Sequence, residues 1–381
     1  LIAFYPYPDS GSQTRGVAVD GNGNVWAVNT MGDNVARFDV TTGTWGPPIP
    51  VDTYPIGIDT DDDYVWVVNR YGNSATKISI HDYAAVGTYP VGNRPYAYED
   101  FIPTVKPEHP KGVAVDPQTN KVYAAFQGPE REVVEGGERK IVKKYPFVAV
   151  INGTSHQVIK TISENPAAGL KLGREPVGVI YAAGKIYVTS FVENAVYVIR
   201  NDELVNRINV GSQPMWPAFN PNTGKLYVPC HGDQTLSIIN TATDTEIKRL
   251  SLLDNRSRGP FSATVDPAVN MVFVTMRDAP KDPSTFRQLP FIIKAIDGNT
   301  DTLRADYDFV SDTWRREGTG SPYAVVARRA PDGYTYLYTT FSEDFRQIQP
   351  APVPDNPDRL RVLRVSNGEM KTVDFITDIP M

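Results

Sequence analysis

The chain has four histidines and one cysteine among 381 residues, which narrows the acid–base, metal and redox chemistry open to it. Imidazole and carboxylate together ligate divalent cations, and His109, His231, Asp233 and Glu193 are the side chains that could be gathered for that purpose. No ligand-spacing motif joins them, and solvated loop side chains are the reading their spacing favours. Tyr227-Val228-Pro229-Cys230-His231 ends like the haem-attachment pattern C-x-x-C-H with its first cysteine replaced by tyrosine, so a covalent haem is not expected. Asp20, Asn22 and Asn24 alternate as in a calcium loop, but clusters of Asp, Asn and Gly are also turn chemistry, and a turn is the reading taken. A G-x-S-x-G elbow, an H-E-x-x-H pair, a P-loop and a G-x-G-x-x-G run are all absent. The sequence therefore names no catalytic residue and predicts no cofactor, a divalent cation being the one inorganic ligand its histidines and acids could take.

The elements that must position these residues follow from an internal repeat. Seven openings recur, each starting with Pro or a substitute, then a small residue and an apolar strand ending near Asp or Asn: TRGVAVD from Thr14, PIGIDTD from Pro55, PKGVAVD from Pro110, PVGVIYA from Pro176, PMWPAFN from Pro214, PFSATVD from Pro260 and PYAVVAR from Pro322. After a short turn a second strand carries an aromatic at a fixed place: Trp26, Trp66, Tyr123, Tyr187, Tyr227, Phe273 and Tyr338. Third and fourth strands follow, as in NAVYVIRND then ELVNRINV. A four-stranded sheet cannot bury both faces alone, and radial stacking of the copies solves this with few exposed edges. The expectation is all-β: a single seven-bladed β-propeller of four-stranded antiparallel blades spanning residues 1–381, with long insertions on one face. The strand-like LIAFYPYP at residues 1–8 is expected to close the ring by pairing with the last blade around residues 371–376. Cys230 falls at the exit of a second strand, in line with Asn29, Asn69 and Ser190, which makes it a repeat-position residue. The 29 glycines, 32 prolines and 20 tyrosines beside only 22% charged residues suit short strands and tight turns.

KIYVTS at residues 185–190, VFVTM at 272–276, and VWAVN and VWVVN ending at Asn29 and Asn69 resemble the YVTN-type propeller repeat, and the first two copies are also similar to streptogramin-lyase and NHL-like propellers. The Gly-His and Trp-Asp marks of WD40 blades are missing. The resemblance covers nearly the whole chain and implies the fold. It implies little of function, since such repeats occur on binding modules, cell-surface proteins, hydrolases and redox-complex subunits. Lyase chemistry of the streptogramin type would need a histidine and an acid about a metal at the channel mouth, whereas the second-strand exits here are mostly Asn, Ser, Phe and Met. By length and architecture the chain also resembles haem-free propeller subunits of multihaem redox complexes, the hydrazine synthase β subunit type among them.

In a propeller blade the second-to-third turn and the link from the fourth strand to the next blade share one face, here called upper. Every long insertion maps there: residues 127–145, 277–290 and 341–358, and the inter-blade stretches 92–109, 163–175, 253–259 and 311–321. Insertions gathered on one face mark a binding side. Aromatic and Arg side chains anchor protein interfaces, so Trp314, Arg315, Arg316 and Phe345, with Leu253, Asn255, Arg256 and Arg258 of the loop SLLDNRSRG, are the expected partner-binding residues. The partners expected are other protein subunits. A net charge of −6 and scattered basic residues argue against nucleic acid, and no apolar run is long enough to span a bilayer. The sequons Asn152-Gly153-Thr154 and Asn255-Arg256-Ser257, a start at Leu1 rather than Met, and the family resemblance point to an extracytoplasmic location: periplasm-like, secreted or cell surface. The favoured function is a non-catalytic binding or scaffold subunit of an extracytoplasmic assembly. Alternatives are a lactonase- or lyase-like enzyme at the upper channel mouth and a cell-surface adhesin.

Overall fold

A computed structural model describes residues 4–6, 14–91, 109–127, 130–135, 138–143, 146–253, 258–278, 292–308, 320–343, 359–366 and 369–372. They form seven antiparallel sheets in a ring, a seven-bladed β-propeller. Blade four shows the plan: strands Pro176–Ala182, Lys185–Ser190, Ala195–Arg200 and Glu203–Asn209 pair in consecutive order. The second strands read as near-continuous apolar runs because both faces of each blade are covered. Ile186 and Val188 pack toward blade three, whereas Tyr187, Val196 and Val198 pack toward blade five. Seven apolar clusters each straddle one pair of neighbouring blades, including the pair of blade seven and blade one. The fixed-place aromatics Trp26, Trp66, Tyr123, Tyr187, Tyr227, Phe273 and Tyr338 are all buried in these clusters.

The ring closes at a different strand from the one expected. Phe4–Pro6 pairs with Arg359–Ser366, the third strand of blade seven, with Phe4 opposite Arg361 and Pro6 opposite Arg359. Glu369–Thr372 is too short to cover that third strand, pairing only from Leu363 to Ser366. The N-terminal strand fills the rest of the same edge, so the fourth position of blade seven is shared between the two ends of the chain. The insertion at residues 127–145 contains a β-hairpin, Glu130–Glu135 with Glu138–Lys143. The link between blades three and four holds another short pair, Glu164–Asn165 with Leu170–Lys171, around a 3₁₀ turn at Pro166–Ala168.

The lower-face turns are built from Asx side chains. Asp20 Oδ1 accepts from the backbone N–H groups of Asn22 and Asn24, and its Oδ2 accepts from Trp26 Nε1 at 2.8 Å, so this is a turn with its carboxylate satisfied internally. Asp116, Asn152, Asn240 and Asp297 cap the following turn in the same way. At three successive blade boundaries a Lys-x-Tyr pair on the second strand clamps an aspartate of the next blade's last turn. Lys121 and Tyr123 hold Asp202, Lys185 and Tyr187 hold Asp244, and Lys225 and Tyr227 hold Asp301, with bonds of 2.5–3.0 Å. Burial and the adjacent carboxylate push these phenols well above the usual tyrosine range. The ionisable groups of these lower-face boundaries are thus engaged in holding blades together.

Around the axis the first strands approach closely, which explains the small third residue of most openings. A Cβ at Gly16 would sit 2.4 Å from the carbonyl oxygen of Ile56, one at Gly57 2.6 Å from that of Lys111, and one at Gly112 2.4 Å from that of Val177.

Candidate functional site

The second residue of each opening forms the upper mouth of the channel. In six blades the pairing of first and second strands shifts register there, and Arg15, Ile56, Lys111, Val177, Phe261 and Tyr323 fall within the shift. An extra residue in a strand re-aims its side chain, and here all six bulged side chains line one cavity. Met215 takes the same place in blade five, where Trp216 leaves the blade: its N–H donates to Phe261 O, and its carbonyl accepts from Ala263 N. The sheet of blade five therefore begins only at Ala218–Asn220, because Pro217 offers no N–H to the ladder.

A second tier comes from residues just past the second-strand exits. Asn69, Ser190 and Met276 pair with Pro55, Pro176 and Pro260, and the next residues, Arg70, Phe191 and Arg277, line the mouth. The turn beneath is held the same way in several blades: the N–H groups of Arg70, Phe191 and His231 donate to the carbonyls of Tyr54, Glu175 and Gln213. Those three acceptors all take positive φ, 51–59°. The cavity so enclosed has a volume of about 170 Å³. A second cavity of about 180 Å³ lies along the axis among the first strands, and Trp216 lines both.

The mouth combines charge with aromatic surface. Trp216, Phe261 and Tyr323 pack on one another with ring centroids 4.8–5.3 Å apart. The guanidinium of Arg277 lies 4.7 Å from Phe261 and 5.6 Å from Tyr323, and that of Arg15 5.4 Å from Tyr323 and 5.2 Å from Tyr54. Arg70 is 5.8 Å from Tyr54 and 5.6 Å from Tyr71. Three guanidiniums thus alternate with tyrosine rings around the rim, and such stacking holds each long side chain in place. Arg15, Arg70, Lys111, Arg277 and Glu175 are the charged residues among the described lining, and Glu175 accepts from Gln127 Nε2 at 3.4 Å. On the axis below, Asp59 accepts a 2.8 Å bond from Val115 N, and burial raises its pKa to about 6.

The residues singled out from sequence are distributed as follows. Trp314, Arg315, Arg316, Phe345, Asn255 and Arg256 lie outside the described residues. Leu253 is 61% exposed just past the fourth strand of blade five, and Arg258 opens the first strand of blade six opposite Asp278. His109 opens the first strand of blade three opposite Gln127. Glu193 takes Arg174 as its partner at 3.0 Å, and Asp233 accepts from Thr235 Oγ1 at 2.8 Å. His231 stands edge-on to Phe261 at 6.3 Å. Among the described residues no three His, Cys, Asp or Glu side chains are gathered as a metal site. Cys230 is buried opposite Pro214, within 3.5 Å of Ser237 Oγ, and burial pushes its thiol up to about 11, as befits a core residue. The mouth residues were missed by a search for motifs. For seven of them the signal was the second letter of each opening, which varies among Arg, Ile, Lys, Val, Met, Phe and Tyr after a Pro that is replaced only once.

Fold and mouth together define a seven-bladed β-propeller with a cationic, aromatic channel mouth on its loop-bearing face. Among solved structures the chain is similar to a streptogramin B lyase, with TM-score 0.64 and 12% identity over 96% of this chain and 98% of that one. It is similar to the same degree to U3-55K, with TM-score 0.64 and 8% identity over 95% and 98% of the two chains. These likenesses are of fold. No family model and no curated protein sequence matches the chain.

Proposed function

We propose that this chain is a non-catalytic binding propeller that offers its upper face to a protein partner in an extracytoplasmic assembly. The observation that carries this reading is the division of labour between the faces. Lower turns are short, capped by their own Asx side chains and tied across blades by the Lys, Tyr and Asp clamps, whereas the insertions leave the upper ends of the strands. A stable interface buries on the order of 800 Å² per partner, an area that several loops around one rim can supply. Trp314, Arg315, Arg316 and Phe345 remain the proposed anchors, with Leu253 at the base of a fourth loop. The YVTN-like second strands are in keeping with an exported protein, and the size and architecture are in keeping with a propeller subunit of a hydrazine synthase type complex.

An enzyme reading has one observation in its favour: the mouth cavity, in a fold shared with a protein named as a lyase. Against it stands the lining, in which cations and aromatics outnumber groups able to exchange protons near neutral pH. The test is a pull-down from native extract with residues 127–145, 253–259, 311–321 and 341–358 shortened. Partners recovered by the parent chain should be lost, while a control altered on the lower turns around Asn152 and Asn240 keeps them. Equal recovery by the shortened chain would remove the upper-face reading.

A further inference from the structure

We infer that the axial cavity is a binding site for a small organic cation, an ammonium group carried on an apolar body. The inference concerns the channel below the mouth and does not depend on what the upper loops bind.

The charge of Asp59 goes beyond what holding the ring requires. Asp59 is the fifth residue of its opening, and the same place in the other six holds Ala18, Ala114, Ile180, Ala218, Thr264 and Val326. In blade six Thr264 does the structural work that Asp59 does in blade two. Its Oγ1 accepts from Ala327 N of blade seven at 2.9 Å, as the Asp59 carboxylate accepts from Val115 N of blade three at 2.8 Å. A neutral hydroxyl is therefore enough for that bond, and the other five openings have an apolar residue there. A carboxylate drawn out of water costs the fold free energy. No protein cation offsets this cost: the charge acting on Asp59 is that of a second acid, Asp61.

The surroundings select the kind of cation. Among the described residues that line the axial cavity Asp59 is the one that carries a charge, and it keeps part of its surface open. A calcium ion takes roughly six to eight oxygen ligands, and magnesium a near-ideal octahedron of them. Beside Asp59, the side-chain oxygens of this lining are those of Ser262 and Tyr323, and the remaining residues are Gly, Ala, Pro, Val, Ile and Trp. Such walls suit a cation that brings its own hydrocarbon, and Val17, Ile58, Val113 and Val179 offer apolar surface to it. At the upper end the rings of Trp216 and Tyr323, with centroids 5.3 Å apart, add π surface. Trp216 bridges to Ser262, the third residue of the next opening, so the indole stands above the level of Asp59 at the fifth. A ligand with its head at Asp59 thus extends its body toward the indole. At about 180 Å³ the cavity holds roughly six waters at ~30 Å³ each, room for a ligand of about ten non-hydrogen atoms. Ile56, Trp216 and Tyr323 line both cavities, which makes the mouth the way in.

The experiment is titration of the purified full chain at pH 7.5 with 2-phenylethylammonium, followed by calorimetry and tryptophan fluorescence. Parallel titrations use 2-phenylethanol, which has the same body without the charge, and calcium chloride, which has the charge without the body. The ammonium should bind saturably and at least tenfold more tightly than the alcohol. Asp59→Asn keeps an acceptor for Val115, so the variant folds, and it should weaken ammonium binding about tenfold or more while leaving the alcohol within twofold. Asp61→Asn, which removes the neighbouring charge outside the cavity lining, should leave ammonium binding within about threefold. Saturating ammonium should raise the melting temperature of the parent and not that of Asp59→Asn. Absence of saturable ammonium binding overturns the inference, as does equal affinity for the alcohol or unchanged affinity in Asp59→Asn. Calcium that binds saturably and displaces the ammonium through Asp59 would also overturn it, leaving an inorganic-cation site. Partner recovery in the pull-down should be unchanged in Asp59→Asn, so failure of one reading is visible apart from failure of the other.

Discussion

Asp59 shows how a single side chain can set a cost for the ring. It lies on the first strand of blade two, facing the axial cavity, with Val115 N as its 2.8 Å donor from blade three. Burial lifts its pKa from 3.8 to about 6, outweighing the bonds from Val115 and Thr60 that act the other way. The native state therefore binds more protons than the unfolded chain between about pH 4 and pH 6. Below that window both states are protonated and Asp59 costs nothing; above it both are ionised and the full cost is present. Asp59 keeps part of its surface open to water in the channel, which reduces the cost to about 1–3 kcal/mol at pH 7. Asp59→Asn keeps an acceptor for Val115 and removes the charge. It should raise the melting temperature at pH 7.5 and make no difference at pH 3.5. A variant equal to the parent at both pH values would show that the carboxylate is not buried at its expense.

At the scale of elements, the recurring Lys-x-Tyr clamp and the inner-strand glycines do related work at the bottom and the centre of the ring. Tyr187 is fully buried and donates at 2.6 Å to Asp244, whose other partner is Lys185. Tyr187→Phe leaves packing in place and removes a bond to a charged group, for an expected loss of about 1.5–3 kcal/mol in a denaturant titration. Asp244→Asn in the same background should cost much less than it does alone, since the two positions share one interaction. Gly112→Ala is the sharper change. Its methyl would meet the Val177 carbonyl at 2.4 Å, backbone that cannot rotate away, so a loss of about 1–3 kcal/mol or more is expected by the same measurement. A neutral result would mean that blades three and four can separate at the axis. The outer strands solve another problem. Val86, Ile159, Val205, Ile247 and Arg304 are skipped in the pairing of five successive fourth strands, and a bulge at that place twists an exposed edge away from intermolecular pairing.

The whole molecule depends on joining its ends. The first strand of blade one packs against the first strands of both blade two and blade seven, and Thr340 Oγ1 of blade seven donates to Arg15 O at 2.7 Å. The strand Phe4–Pro6 adds to this seam by covering the half of the Arg359–Ser366 edge that Glu369–Thr372 leaves open. Deleting residues 1–6 should lower the melting temperature by at least about 5 °C and broaden the transition, because blades at the seam can then unfold ahead of the rest. An unchanged, equally sharp transition would mean that side-chain packing between blades seven and one closes the ring without the strand. The same closure matters for the mouth, since Arg15 and Tyr323 meet across this seam.

The sequence by itself determined the blade number, the strand order and the identity of the buried aromatics, because each is encoded locally: a short apolar strand, an Asx turn and an opening repeated seven times. Tertiary structure decided the rest. The closing strand depended on which half of an edge the C-terminal strand leaves uncovered, a question of length and register between segments more than 350 residues apart. The channel mouth depended on bulges that turn the second residue of the openings toward the axis. Arg15, Lys111, Arg70 and Arg277 are solitary basic residues in the sequence, and they become neighbours only because the ring returns each blade to the same radius.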